Sequence, residues 1–411
     1  MTNNSARRAS IILGVFMVIV LLAGSIIPIF TGNQQPQVEQ PQVNPTEAPI
    51  PTFPAPPTDL TAVTFDQVYL HPTGIFSIGQ PIGWTASEPN KGATIAQVNL
   101  INNDSQTVVD TYVEDAGAIQ PAELDAHFSR EAIGASWARF NQWSETNREF
   151  NEETGRLVID FNVTSNRQQF VARQQAWTDG RWVYVVRVLT PANATQFLLY
   201  LLEGFSNSLQ AYTGFEGSPL DWTAHYDSVY NHIIRYPGTW TLTDSAPGAP
   251  ASITSADGVQ LRVQGVADTQ AADEAAARAY VESLRPGITV ASVMPIDRAG
   301  TNGFAVGYTY STIDGEGQSG YVNLLNGADG ALHVADLRFP APNVDLNALM
   351  TIAGQPVAEA TPEMTPDAEA TPEAPTMQLA DESLLGAYAG LSQVLGTFQV
   401  IAPIPLAVQP A

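Results

Sequence analysis

The sequence predicts an α+β chain. It comprises two tandem antiparallel-sheet domains with helices packed on the sheet faces, each an α/β/α sandwich, behind an N-terminal transmembrane helix. Three observations predict this. Ile11 to Phe30 is apolar throughout. In each half, β-branched runs between turn residues are interrupted by one stretch of helical period. Landmarks of the first half return in the same order in the second. A chain of 411 residues also exceeds a single core, which stops growing near about 250–300 residues.

The apolar stretch reads IILGVFMVIVLLAGSIIPIF, without a charge, and a bilayer core needs about 20 such residues of helix. Arg7 and Arg8 precede it and the next basic residue is Lys91. The positive-inside rule therefore places residues 1–10 in the cytoplasm and everything after Phe30 outside. Ala23-Gly24-Ser25 offers a cleavage site, but a signal peptide's apolar region runs only about 7–15 residues, so a retained single-pass anchor in the cell membrane is expected. Two of the 17 basic residues precede the anchor and all 41 acidic ones follow it. Such an exterior repels nucleic acid and anionic headgroups, so contact with the membrane is through the anchor alone and no nucleic-acid partner is expected. With no cysteine, disulfides, thiolate metal sites and a cysteine nucleophile are all excluded.

Residues 31–62 are a linker. Gln34 to Leu60 holds eight prolines and no base, a composition that favours an extended spacer over a core. The first domain is expected over 63–212. Phe76-Ser77-Ile78 opens it before Pro81-Ile82-Gly83-Trp84. Ile95 to Ile101 and Thr107 to Val113 flank the turn residues Asn102 to Ser105 and should pair as a hairpin. Leu124, Phe128, Ile133, Trp137 and Phe140 then fall near one helical face, which predicts one amphipathic helix between Pro121 and Asn141. Strands resume at Trp143 to Phe150, Arg156 to Thr164, Phe170 to Trp177 and Trp182 to Leu189, and a closing helix runs from Ala194 to Leu209.

The second domain, 220–354, repeats the plan. Asp66 to Tyr69 is matched by Asp227 to Tyr230, Pro81 to Trp84 by Pro237 to Trp240, and Asp179-Gly180 by Asp329-Gly330. Its strands are expected around Ile253, at Val259 to Val266, Val290 to Met294, Phe304 to Tyr310, Tyr321 to Leu325 and Leu332 to Phe339. One helix spans Ala271 to Leu284, and a short closing helix starts at Asn343. Residues 355–380 are an acidic Thr/Pro-rich linker, with EATPE at Glu359 and again at Glu369. In 381–400 the residues Leu384, Tyr388, Leu391, Leu395 and Phe398 form an apolar helical stripe. That amphipathic helix should fold back and complete the layer the second domain's own closing helix leaves short.

With the paired Pro-x-x-Trp strand starts, the single helix after three strands, and the Asp-Gly hairpin before a closing helix, each half resembles the PsbP-like superfamily. The signals are Phe76 to Trp84 and Tyr226 to Trp240. The resemblance implies an antiparallel sheet of about six strands with helices on both faces. It transfers no functional residue, and the single lysine of the chain argues against docking to a photosystem.

No nucleophile elbow, Walker loop, dinucleotide fingerprint or His-Glu-x-x-His motif is present, so no catalytic residue and no cofactor is expected. His225, Asp227 and His232 are the one grouping that could be drawn as a metal site. No helical or zinc-type spacing supports them, and no metal is expected. A two-residue Asp179-Gly180 turn would set Trp177 opposite Trp182 and Gln175 opposite Tyr184. Those four residues on one sheet face would make a platform for a sugar or peptide, unless the rings are core. The function expected is a binding or scaffolding role in the cell envelope, with an envelope protein or polysaccharide as partner. An envelope hydrolase, or a solute or metal carrier, is the alternative.

Overall fold

Asx and glycine turns between β-branched runs divide the chain into antiparallel hairpins. In the computed structural model the described residues are 52–89, 94–138, 140–214, 220–244, 246–341 and 391–406. They belong to two units, one of Met1–His71, Ile75–Ala211 and Pro405–Ala411, the other of Pro72–Gly74 and Tyr212–Ile404. The expected anchor at 11–30, most of the Pro-rich linker, the helix start at Asn343, the acidic linker and residues 381–390 lie outside the described residues. Among those described, no helix is long and apolar enough to cross a membrane.

The first unit runs β1 (Val68–Leu70), β2 (Phe76–Gly79), β3 (Thr85–Ser87), β4 (Ile95–Asn102), β5 (Thr107–Asp115), α1 (Leu124–His127), α2 (Arg130–Trp137), β6 (Gln142–Asn151), β7 (Arg156–Ser165), β8 (Gln168–Thr178), β9 (Trp182–Pro191), α3 (Thr195–Ser208) and β10 (Gln210–Ala211). A seven-stranded antiparallel sheet has the order β3-β4-β5-β9-β8-β7-β6, and a three-stranded one the order β1-β2-β10. The β4–β5 hairpin forms as its sequence predicts: Asn102 Oδ1 accepts the Ser105 amide at 2.8 Å, and Gln106 takes a φ of 51°.

The single helix expected before β6 is instead two. A 3-10 turn, Pro121–Glu123, leads into α1, and the chain leaves the helical region at Phe128 (φ −92°, ψ 43°). Ser129 then caps α2 by accepting the Ala132 amide. The break persists because the Phe128 carbonyl accepts from Arg148 Nη2 at 3.0 Å, and because Leu124, Phe128, Ile133 and Trp137 all still reach one apolar cluster with Leu157, Ile159, Phe161 and Val185. Helix α3 buries Phe197, Leu198, Leu201, Leu202 and Phe205 and packs on β9, β8 and β2. None of its residues enters the α1–α2 cluster.

The second unit runs β11 (Thr223–Asp227), β12 (His232–Tyr236), β13 (Thr241–Asp244), β14 (Ala251–Thr254), β15 (Gln260–Val266), α4 (Glu274–Ser283), β16 (Thr289–Arg298), β17 (Thr301–Ser311), β18 (Gly317–Asn326), β19 (Leu332–Phe339), α5 (Ser392–Gly396) and β20 (Gln399–Val400). Its sheets have the orders β13-β14-β15-β19-β18-β17-β16 and β11-β12-β20. Strand for strand, this is the order of the first unit. Both units are thus richer in sheet than the six-stranded sandwich the resemblance implied. Each adds a small second sheet, and the described helices are few.

The shared turn after β2 and β12 sets the equivalence. The Trp84 amide donates to the Pro81 carbonyl and the Trp240 amide to the Pro237 carbonyl. Counting back from these prolines, Phe76 corresponds to His232, Ile78 to Ile234 and Tyr69 to His225; the pairings Tyr69 with Ile78 and His225 with Ile234 agree. The expected match of Asp66 to Tyr69 with Asp227 to Tyr230 therefore does not hold in space. Asp66 precedes β1, whereas Asp227 ends β11 and its carboxylate accepts the Val229 and Tyr230 amides of the following turn.

The C-terminal segment occupies the closing position of the second unit. Val394, Leu395 and Phe398 are fully buried with Ile234, Tyr321, Leu337 and Phe339. The Leu395 carbonyl accepts from Asn323 Nδ2, and Thr397 Oγ1 accepts the Arg235 amide. Val400 of β20 then pairs with His232 as Ala211 of β10 pairs with Phe76. On the opposite face Ala277 and Val281 of α4 pack on Val306, Val322, Leu324 and Val334.

Candidate functional site

Three groups of side chains bear on function. The first is the predicted aromatic face on β8 and β9. Trp177 stands opposite Tyr184, not Trp182, and Thr178 opposite Val183. Four residues, Asp179 to Trp182, separate the paired Thr178 and Val183, because Asp179 Oδ1 accepts both the Arg181 and Trp182 amides while Thr178 Oγ1 accepts that of Gly180. The correction shifts the register by two, so Gln175, Trp177, Trp182 and Tyr184 keep a common face. Trp182 and Tyr184 are only 3% and 6% exposed, and the Tyr184 hydroxyl donates to Asp179 Oδ2 at 2.6 Å. Trp177 is half-buried, with its ring 5.7 Å from that of Tyr184. The Arg156 guanidinium lies 4.7 Å from its ring centre and donates to Gln175 Oε1. The part of this face that meets solvent is therefore the Gln175–Trp177 edge under Arg156.

The second group was not singled out by the sequence. A cleft in the first unit lies between β4, β5 and β9 on one side and α1 and α2 on the other, with Tyr112, Phe128, Ala132 and Ile133 among its walls. Asp110 and Arg187 face each other across β5 and β9. Arg187 donates from Nε and Nη2 to Gln174 Oε1 at 3.0 and 2.6 Å and from Nη1 to Asp110 Oδ2 at 3.4 Å. Its guanidinium sits 5.0 Å from the Trp137 ring centre. Gln97 donates to the other Asp110 oxygen, and His127 Nε2 meets Glu114 Oε2 at 3.1 Å. Burial pushes the Tyr112 hydroxyl up, beyond the range in which it ionises in water. Every ionisable group at this cleft thus has a partner or stays neutral. The sequence hid it because Arg187 and Asp110 are 77 residues apart, and only the β5–β9 pairing joins them.

The third group is the one the sequence set aside. His225 and Asp227 are two apart on β11, and Asp227 pairs with His232 across the hairpin, so all three share a face. One donor atom from each lies within 4.8 Å of the others, and the three residues are 7%, 3% and 1% exposed. His333 of β19, wholly buried, places its Nδ1 3.3 Å from His232 Nδ1. Burial pulls all three imidazoles down: His232 to about 3, with His333 adding to the effect, and His225 and His333 by burial against the opposing pull of Asp227 and Asp329 respectively. For Asp227 burial acts upward, but the Tyr230, Gly248 and Val229 amides outweigh it and hold the carboxyl below the usual range. Neutral imidazoles beside an ionised carboxylate are the protonation states metal ligands need. The signal in the sequence was His-x-Asp on a strand with a histidine just beyond a tight turn, a cross-strand pairing rather than a helical spacing.

No protein-family model matches the chain, and no curated protein does. The solved structures similar to it include PsbP of the cyanobacterium Synechocystis, at 14% identity over 44% of this chain and 92% of that one, with a TM-score of 0.27. A Bacteroides thetaiotaomicron protein is 10% identical over 36% of this chain and 49% of its own, with a TM-score of 0.25. The type VI secretion immunity protein TplEi of Pseudomonas aeruginosa, in complex with an "L" peptide, is 10% identical over 79% of this chain and 99% of its own, with a TM-score of 0.20. At such scores these neighbours carry no argument about the chemistry of this chain.

Proposed function

We propose that this chain is a non-catalytic binding or scaffolding protein of the cell envelope, made of two PsbP-like domains and held outside the membrane by residues 11–30. The cleft beneath α1 and α2 carries the reading. Its walls combine apolar side chains with ionisable groups that partner one another, Arg187 with Asp110 and His127 with Glu114. A recognition surface needs fixed polar groups set among apolar walls, and that is what this cleft offers to an envelope protein or polysaccharide. The strongly acidic exterior supports a partner other than nucleic acid, and the identical strand orders of the two units support a duplicated domain.

The test is retention. The full-length chain, immobilised in mild detergent, should hold a distinct envelope component from an extract of its own source. Ala132→Trp, which fills the cleft from α2, should reduce that retention at least tenfold with an unchanged circular dichroism spectrum. Equal retention by the variant would overturn the assignment to this cleft.

A further inference from the structure

We propose that His225, Asp227 and His232 bind one divalent transition-metal ion, zinc in type, with His333 orienting His232. This goes beyond the binding role argued above and concerns the other unit.

The residue types and their placement carry it. Two imidazoles and a carboxylate converge on one face of the β11–β12 hairpin, with one donor atom from each within 4.8 Å of the others. Donors at about 2.0–2.2 Å from a tetrahedral zinc stand roughly 3.3–3.6 Å apart, so small side-chain rotations close the set. An independent observation points the same way: His225 Nε2 is buried and has no hydrogen-bond partner. An unmet buried ring nitrogen is costly, and an ion would satisfy it. The Asp227 carboxylate accepts the Val229 and Tyr230 amides on Oδ1 and the Gly248 amide on Oδ2. A carboxylate has about four acceptor positions, so three amides fix its orientation and leave one position for a metal. His333 supplies what a ligating imidazole ordinarily has, a partner on its other ring nitrogen that sets tautomer and angle. Its own Nε2 lies 3.7 Å from Asp329 Oδ1. With one carboxylate and no further acid in the set, calcium and magnesium, which demand oxygen ligands, are disfavoured against zinc, cobalt or nickel.

In the first unit the equivalent places hold Tyr69, His71 and Phe76, and the His71 and Phe76 rings stack at 5.0 Å. The same scaffold there closes on an aromatic stack, so the fold by itself does not require imidazoles and a carboxylate at these positions.

The full-length chain, without an affinity tag, would be stripped with chelator in detergent and titrated with Zn²⁺ and with Co²⁺. Saturable uptake of one ion per chain is expected, with a visible d–d absorption of low-coordinate Co²⁺ and a rise in melting temperature on adding Zn²⁺. His225→Gln and Asp227→Asn should lose saturable uptake, and His333→Gln should weaken it about 10–100-fold. Sub-stoichiometric or unsaturable uptake by the unaltered chain would overturn the proposal, as would uptake by His225→Gln equal to that of the unaltered chain. Should a variant not fold, the stoichiometry and cobalt spectrum of the unaltered chain decide alone.

Discussion

The two units share a strand order and differ in what they place on it. In the first, a continuous stretch of chain supplies everything from β1 to β10, and the closing helix α3 follows directly on β9. In the second, the closing pieces α5 and β20 arrive only after residues 342–390. The small sheets diverge too, one ending in stacked rings and the other in imidazoles and a carboxylate. Topology here is set by the pattern of apolar strands and turns, which tolerates a long excursion between two elements. Polar chemistry is set by single residues at equivalent positions, which topology does not constrain.

The largest difference between the units is expected on emptying the closing layer of each in turn. Phe205 and Phe398 are both fully buried. Phe398→Ala should cost about 3–5 kcal/mol, seen as lost hydrogen-exchange protection in β12 and β18, and Phe205→Ala should do the same to β2 and β9. Unchanged protection in β18 of Phe398→Ala would mean that the C-terminal segment does not close the second unit as α3 closes the first.

A smaller effect separates the units at high pH. Burial raises the hydroxyls of Tyr308 and Tyr321 in the second unit, the latter to about 12, and also those of Tyr226, Tyr236 and Tyr280; in the first unit it raises Tyr69 and Tyr112. A pKa higher in the folded than in the unfolded state means stability that is whole below about 10 and is lost as pH climbs above it. The second unit should therefore lose protection more steeply between pH 10 and 12, monitored by exchange and by tyrosine absorbance. Parallel losses would remove this distinction.

The smallest expected difference lies in the helices over the α1–α2 and α4 faces. Asp273 caps α4 by accepting the Ala276 amide at 2.8 Å, and Ser129 caps α2 at 3.3 Å. Each change to alanine should cost about 1 kcal/mol, the Asp273 variant somewhat more because its acceptor is charged and its bond shorter. Chemical denaturation of the two variants ranks them.

The long strands were legible because Ile95 to Ile101, Arg156 to Thr164 or Leu332 to Phe339 carry enough β-branched and alternating apolar residues to outweigh local ambiguity. Short edge strands such as β1, β3, β13 and β20 were not, since two to four residues hold no period and depend on a partner strand. The helix break at Phe128 was invisible because both halves keep their apolar residues on the core side. The Asp179 turn misled the register by two residues because Asx hydrogen bonding, not Asp-Gly composition, set the turn. Of the sites, the aromatic face was placed on the right side of the sheet with the wrong partners. The cleft and the histidine cluster depend on cross-strand pairs that sequence spacing does not record.

The late arrival of α5 and β20 makes the acidic Thr/Pro-rich stretch a link between two parts of one unit. A cut between Phe339 and Leu391 would leave two fragments gripped by Val394, Leu395 and Phe398 and by the β12–β20 pairing. Severed there, the second unit becomes a bimolecular complex whose persistence depends on dilution. A peptide carrying residues 391–406 could then be exchanged in and out of it like a removable plug.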